Sequence, residues 1–182
     1  MSSLESTAPG TLPVIRALGG EFRPVIVIDT RERTPLAFRR LESVRGTLTG
    51  GDYSLRGAED LFAVERKSIA DLVNCCTGAE RRRFDRQLHR LGAYRFRRLV
   101  IVGHRIEVEQ RRYRSNLSPK SILSTLAAFE VRHDVPVTWA NTPEEAAAIV
   151  ERWAWWFARE TIEQANGLLR STARLDGDHG AA

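Results

Sequence analysis

The feature that most constrains this fold is an apolar run, residues 61–64, that leads directly into three charged residues. Phenylalanine and valine in such a run are typical of a buried strand. Because side chains alternate between the faces of a strand, Glu65 and Lys67 point one way and Arg66 the other. A carboxylate and an ammonium at the end of a buried strand are costly unless they pair or bind something. The pattern predicts a strand-end ion pair or part of an active site.

A second carboxylate, Asp52, follows Gly50 and Gly51 in a turn where glycine allows tight backbone geometry. If its segment pairs with the strand of Glu65, both carboxylates can reach one cation. Carboxylates hold Mg²⁺, which polarises a phosphate and lowers the pKa of its bound water. Lys67 would orient that water or offset charge at phosphorus. The residue types therefore predict phosphodiester hydrolysis, with a structural ion pair as the alternative.

The remaining patterns along the chain predict an α/β fold. The apolar run 25–28 is typical of a strand covered on both faces. Residues 44–49 are β-compatible and are expected to pair antiparallel with 61–67. Further strands are predicted at 99–102 and 135–139. Helices are predicted from residue 68, at 79–91, at 118–132 and from 143 onward, and residues 104–115 are expected to be a loop.

Composition limits the class of protein and its partners. A length of 182 residues, 42% hydrophobic and 28% charged, predicts one soluble globular domain. No apolar run approaches the ~20 residues of a membrane span, and no signal peptide is evident. We therefore expect a cytoplasmic protein, nucleoid-associated if prokaryotic, with no membrane partner. Adjacent Cys75 and Cys76 fit neither a zinc site nor a disulfide framework, and are expected to be buried thiols.

Charge and lysine usage favour a polyanionic partner. The formal charge is +5 and the sequence pI about 9.8. All basic residues are arginine except Lys67 and Lys120. Against this arginine bias, a lysine in the motif indicates a position where the bulkier, permanently charged guanidinium would not serve.

The string Gly51-Asp52 followed by Glu65-Arg66-Lys67-Ser68-Ile69-Ala70-Asp71 resembles the signature of XPF-type structure-specific endonucleases. This resemblance implies a restriction-endonuclease-like core, with a central mixed sheet flanked by helices. Asp52 and Glu65 would ligate Mg²⁺ or Mn²⁺, Lys67 would position water, and Arg66 and Asp71 would brace the site. Asp71 has an alternative explanation, because an acid in the first turn favours the helix dipole.

Two more segments resemble the same family. Asp29-Thr30-Arg31-Glu32 follows the first long strand, so Asp29 would be a third acidic metal ligand or, alternatively, a turn cap. Arg31 and Glu32 would form an ion pair or contact phosphates. Arg83-Phe84-Asp85-Arg86-Gln87 resembles the family's Arg-Phe-x-x-Gln element.

Arginines of the second predicted helix form either a solvated face or a phosphate-tracking surface. Arg82, Arg86 and Arg90 recur every four residues, with Arg83 between them. The predicted DNA-binding residues are Arg31, Arg83, Arg86, Gln87 and Lys120.

We expect a flexible tail at 1–22, an XPF-type nuclease domain at 23–165 and a flexible tail at 166–182. The predicted function is metal-dependent cleavage of branched, flap or fork DNA in repair or recombination. The alternatives are a non-catalytic DNA-binding module and a scaffold subunit that uses its tryptophans. The family dimerises through this domain, and Trp155 is expected to point outward. A homodimer on the last two helices is therefore predicted, unless a tail covers Trp155.

Overall fold

The structure, a computed structural model, describes residues 12–17 and 19–178, with side chains to residue 171. Its elements are β1 (Ile15–Ala17), β2 (Gly20–Phe22), β3 (Val25–Asp29), β4 (Glu42–Gly46), β5 (Tyr53–Leu55), β6 (Phe62–Ser68), α1 (Ile69–Asn74), α2 (Gly78–Leu91), β7 (Phe96–Val102), α3 (Arg105–Glu109), α4 (Pro119–His133), β8 (Val137–Ala140) and α5 (Pro143–Asp178).

Six of the strands form a mixed sheet in the order β4-β3-β5-β6-β7-β8. β5 is antiparallel to both of its neighbours, and the other pairs are parallel. The side chains of β3 and β6 are mostly buried, as expected of central strands covered on both faces. The predicted α/β class with a central mixed sheet is confirmed.

Helices cover both faces of the sheet. On one face α1, α2 and α4 enclose a core that includes Leu72, Phe84, Leu88 and Phe129. On the other face α5 packs Val150 and its neighbours against β3, β6 and β7. Ser68 accepts a hydrogen bond from the backbone of Asp71 and caps α1, so β6 passes directly into a helix at the end of the motif.

Two predictions from the strand and loop patterns were wrong. Residues 44–49 do not pair with 61–67; β4 pairs in parallel with β3 instead, and β5 is the antiparallel partner of β6. β5 has only three residues, all buried, too short for periodicity to distinguish it from the turn. Residues 104–115, expected to be a loop, contain α3, which buries Val108.

The expected outward position of Trp155 was also wrong. Trp155 is 7% exposed, and its indole nitrogen donates a 2.7 Å hydrogen bond to the carbonyl of Pro13. The segment that covers it belongs to the expected N-terminal tail, where β1 and β2 form an antiparallel hairpin against α5. The alternative, a tail lying over Trp155, is the arrangement observed. Residues 1–11 and 18 lie outside the described part of the chain.

The last helix is longer than the sequence pattern indicated. α5 runs from Pro143 to Asp178, so residue 165, the expected domain boundary, lies inside a helix rather than at its end. Much of the expected tail at 166–182 is therefore helical, and residues 179–182 are outside the described range. No helix in the described residues combines the length and apolar character needed to cross a bilayer.

Candidate active site

An open cleft of about 880 Å³ lies where the loop after β3, the end of β6, α1 and α2 meet. It is lined mainly by polar side chains and by the two glycines before Asp52. The predicted site residues that line it are Asp29, Arg31, Asp52, Glu65, Arg66, Lys67, Asp71, Arg83 and Gln87.

Backbone pairing brings Asp52 beside the strand of Glu65. The amide of Asp52 donates to the carbonyl of Val64 at 2.8 Å, and Tyr53 is the register partner of Val64. Gly51 has φ +75°, and a Cβ there would lie 3.0 Å from the Val64 carbonyl oxygen. This position therefore requires glycine both for its conformation and for the close approach of the two segments.

The two carboxylates repel one another in a poorly solvated place. Burial, together with the charge of Glu65, raises the pKa of Asp52 to about 7, although the Arg66 amide donates to its Oδ2 at 2.7 Å. Burial likewise raises the pKa of Glu65, which is fully enclosed. A carboxylate pair in this state favours any cation that enters the cleft.

Two residues orient Glu65. The Lys67 ammonium donates to Oε1 at 2.7 Å, and the Gln87 amide donates to Oε2 at 2.6 Å. Burial lowers the pKa of Lys67, but the Glu65 carboxylate raises it by more, so Lys67 is an ammonium at neutral pH. The same-face placement of Glu65 and Lys67, inferred from strand alternation, is confirmed.

The carboxylate of Asp29 is engaged in hydrogen bonds with neighbouring residues. It accepts from the Arg31 backbone and guanidinium at 2.7 to 3.0 Å and from the Leu48 amide at 2.8 Å. The hydrogen bond with the Arg31 side chain lowers the pKa of Asp29 to about 2. Asp29 is thus a loop cap, the alternative that the sequence left open, rather than a free third ligand.

The side chain of Arg66 lies on the opposite side of β6 from Glu65. Its Nη1 donates to the Thr34 hydroxyl at 3.0 Å and lies 3.8 Å from Glu32 Oε1. Its Nε is buried with no hydrogen-bond partner among the described residues. The charge of Glu32 also raises the pKa values of Asp52 and Glu65, so Glu32 belongs to the site electrostatically. The sequence assigned Glu32 no firm role because its loop has no periodicity.

The remaining predicted residues have different surroundings. Asp71 accepts from the Ser68 hydroxyl at 2.6 Å, so its observed contact is with the residue that caps α1. Arg83 and Arg90 line the cleft, whereas Arg82 and Arg86 line a separate groove beside α4. Lys120 is exposed near the start of α4 and lies outside the cleft.

The donor set fits a hard divalent cation at Asp52 and Glu65. Their oxygens are the ligands that Mg²⁺ prefers, and burial, the main cause of their raised pKa values, leaves both carboxylates poorly solvated and so favours a bound cation. Among the described residues no group of three Asp, Glu, His or Cys side chains is arranged to hold a metal ion. Of the three acidic groups expected near the metal, Asp29 is the one that Arg31 already engages.

Solved structures similar to this one include XPF from Aeropyrum pernix, with 23% identity, a TM-score of 0.60 and coverage of 75% of this chain and 62% of that chain. XPF from Aeropyrum pernix in complex with DNA matches with the same identity and TM-score, over 76% of this chain and 66% of that chain. This chain thus spans less than two thirds of either matched chain. At this identity, the likeness establishes the fold.

A comparison with curated protein sequences found no match. A family model described as the ERCC4 domain matches residues 28–152, which include β3, the cleft, α2 and the first part of α5. That match covers more than half of the 182 residues. The chain therefore belongs to the ERCC4 domain family, the XPF-type nucleases that the Asp52 and Glu65-to-Asp71 string resembles.

Proposed function

We propose that this protein is an Mg²⁺- or Mn²⁺-dependent endonuclease that hydrolyses DNA phosphodiesters. The observation that carries the proposal is the pair Asp52 and Glu65, two poorly solvated carboxylates on adjacent segments with raised pKa values. Lys67 is hydrogen-bonded to Glu65, whereas the described residues give the Asp52 carboxylate no cationic hydrogen-bond partner, so a bound cation would complete the pair. Membership of an XPF-type nuclease family supports phosphodiester hydrolysis, as do Lys67, Arg31 and Arg83, three cationic side chains that line the cleft.

Each residue of the cleft would have a defined task. Asp52 and Glu65 would hold the cation, which supplies Lewis acidity and a more acidic bound water. Lys67, an ammonium held by Glu65, would donate to the attacking water or to a non-bridging phosphate oxygen. Gln87 would keep the Glu65 carboxylate in one orientation.

Branched, flap or fork DNA is the proposed substrate class, in repair or recombination. The DNA-bound Aeropyrum pernix XPF supports nucleic acid as the ligand. Arg31 and Arg83 are exposed at the rim of the cleft, where they would contact backbone phosphates without reading sequence.

A cleavage panel tests the proposal. Single-stranded, duplex, 3′-flap, fork and four-way DNAs of matched length are incubated with the protein in Mg²⁺, in Mn²⁺ and in EDTA. We expect metal-dependent cutting near a branch, absent in EDTA and in Asp52→Asn. Tight binding without cleavage by the wild-type protein would favour the alternative, a non-catalytic binding module.

A homodimer through this domain remains a proposal. Trp155 no longer supports it, since that side chain is buried and its indole nitrogen donates to the Pro13 carbonyl. Its neighbour Trp156 is 47% exposed on α5 and is now the aromatic candidate for a contact. Light scattering at micromolar concentration should give about twice the chain mass, reduced by Trp156→Glu. A monomeric wild-type protein would contradict the proposal.

A further inference from the structure

A basic surface lies beside the active-site cleft and shares no lining residue with it. This outer groove, of about 290 Å³, lies between α2 and α4. Four arginines and one aspartate line it. They are Arg81, Arg82, Asp85, Arg86 and Arg132.

The single acid of the outer groove does not offset the charge of its exposed arginines. Asp85 Oδ1 accepts from Arg132 at 2.8 Å and lies 3.0 Å from the Nε2 of buried His133. Arg82 and Arg86 are exposed, and the described residues offer them no ion-pair partner. The groove therefore presents uncompensated positive charge to solvent.

Part of the groove is held in place by packing. The guanidinium of Arg81 lies 5.8 Å from the ring centroid of Phe129 on α4. Arg132 is held against α2 through Asp85. Placing two guanidiniums in advance reduces the side-chain entropy that anion binding would cost. An unstructured solvated face would lack these contacts.

The outer groove and the cleft lie along different sides of the same helix. Arg83 and Arg90 of α2 face the cleft, while Arg82 and Arg86 face the groove. An α-helix with its side chains is about 10–12 Å across. A backbone that follows the cleft would have to pass over α2 to reach the groove. Two diverging segments could occupy both surfaces at once.

We propose that the outer groove binds a second sugar-phosphate backbone segment, so that α2 lies between two arms of a branched nucleic acid. The inference rests on the proposed nuclease function and gives it a structural basis for branch preference. The contacts would be ionic and independent of sequence, since guanidiniums at phosphates position the duplex without reading bases.

Equilibrium binding in EDTA tests the inference without cleavage. Affinity for a three-way duplex junction and for a linear duplex of equal base-pair number is measured as a function of salt. Arg82→Ala with Arg86→Ala should reduce the log–log salt slope on the junction by roughly two and leave the linear slope unchanged. Arg82→Lys with Arg86→Lys should restore the slope, because the effect depends on charge.

The matched control is Arg112→Ala with Arg114→Ala, which removes two exposed arginines that line neither surface. It should leave both slopes unchanged, and melting curves should show that all variants fold. An unchanged junction slope in the groove variant, equal losses on both DNAs, or an equal loss in the control would overturn the inference.

If the wild-type protein cuts DNA and the groove variant has the wild-type salt slope on the junction, only this inference is removed. Binding without metal-dependent cleavage removes the nuclease proposal and leaves the groove assignment standing.

Discussion

The end of β3 and the β5–β6 pair both present carboxylates to the cleft, yet their chemistry differs. Asp29 accepts hydrogen bonds from Arg31 and the Leu48 amide, and its pKa falls to about 2. Asp52, whose carbonyl accepts from the Asp29 amide, has a pKa of about 7 because burial and Glu65 oppose its charge. Asp29 is held as a structural group by a guanidinium and two backbone amides, whereas the Asp52 carboxylate accepts only from the Arg66 amide and is open to a cation.

The largest expected effect is the loss of cleavage when either carboxylate of the β5–β6 region is replaced. Asp52→Asn or Glu65→Gln should reduce single-turnover cleavage in Mg²⁺ by on the order of 10³-fold or more, because the proposed metal would lose an anionic ligand. DNA binding in EDTA should remain, since neither residue is proposed to contact phosphate. Wild-type turnover by either variant would end the assignment.

Lys67 tests whether the β5–β6 region needs a compact cation or only a positive charge. Lys67→Arg should lose about 10²-fold in rate, nearly as much as Lys67→Ala, because a planar guanidinium cannot occupy the space of the ammonium between Glu65 and Phe84. Single-turnover rates at saturating DNA give the comparison. A near-normal arginine variant would make Lys67 a simple counter-charge.

Asp29→Asn should act on stability more than on chemistry. Losing the charged partner of Arg31 should lower the free energy of unfolding at pH 7 by about 1–3 kcal/mol. The folded pKa of Asp29, about 2, lies below its ordinary 3.8, so this stabilisation is present above about pH 4 and is lost as pH falls through 2. Urea unfolding at pH 7 and pH 3 should therefore show a smaller difference from wild type at pH 3.

The Asp29→Asn variant also has an outcome that would contradict the structural role of Asp29. If Asp29→Asn abolishes cleavage and leaves the unfolding free energy unchanged, then Arg31 must release Asp29 during the reaction. The two regions would then form one metal site.

The smallest expected effect is a gain in stability when Asp52 is replaced, in contrast to the loss expected for Asp29→Asn. The folded pKa of Asp52, about 7, lies above its ordinary 3.8, so stability is lost as pH rises from about 4 through 7. Asp52→Asn removes that charge and should raise the unfolding free energy by about 1–2 kcal/mol at pH 8 in EDTA. Asp71→Asn, at the α1 cap, should show no such gain. If Asp52→Asn is less stable than wild type, the charge of Asp52 must be neutralised in the folded protein, as the charge of Asp29 is.

Local pattern predicted much of the fold because its signals are short-range. The strand at 25–28, the helix start near residue 68 and the Ser118-Pro119 helix start appear where expected. Strand pairing was less predictable, since residues 44–49 are β-compatible whichever partner they take. The order of strands depends on long-range packing, which periodicity does not encode.

The site shows the same division between local and long-range information. Strand alternation alone places Glu65 and Lys67 together and Arg66 apart. Asp29 and Asp52, both acids at strand ends, could not be distinguished from one another by sequence. Arg31 and the Leu48 amide engage one of them, and only the folded chain shows which.

The α/β class, the shared face of Glu65 and Lys67, and the buried strands near 25–28 and 61–64 follow from residue type and spacing alone. Tertiary contacts were needed to show that Asp29 is neutralised, that Asp52 lies beside the strand of Glu65, that Trp155 is buried and bonded to Pro13, and that the arginines of α2 face two separate surfaces. These outcomes depend on neighbours distant in the chain. The charge that each group carries is set by burial and by those neighbours, neither of which is a local property of the sequence.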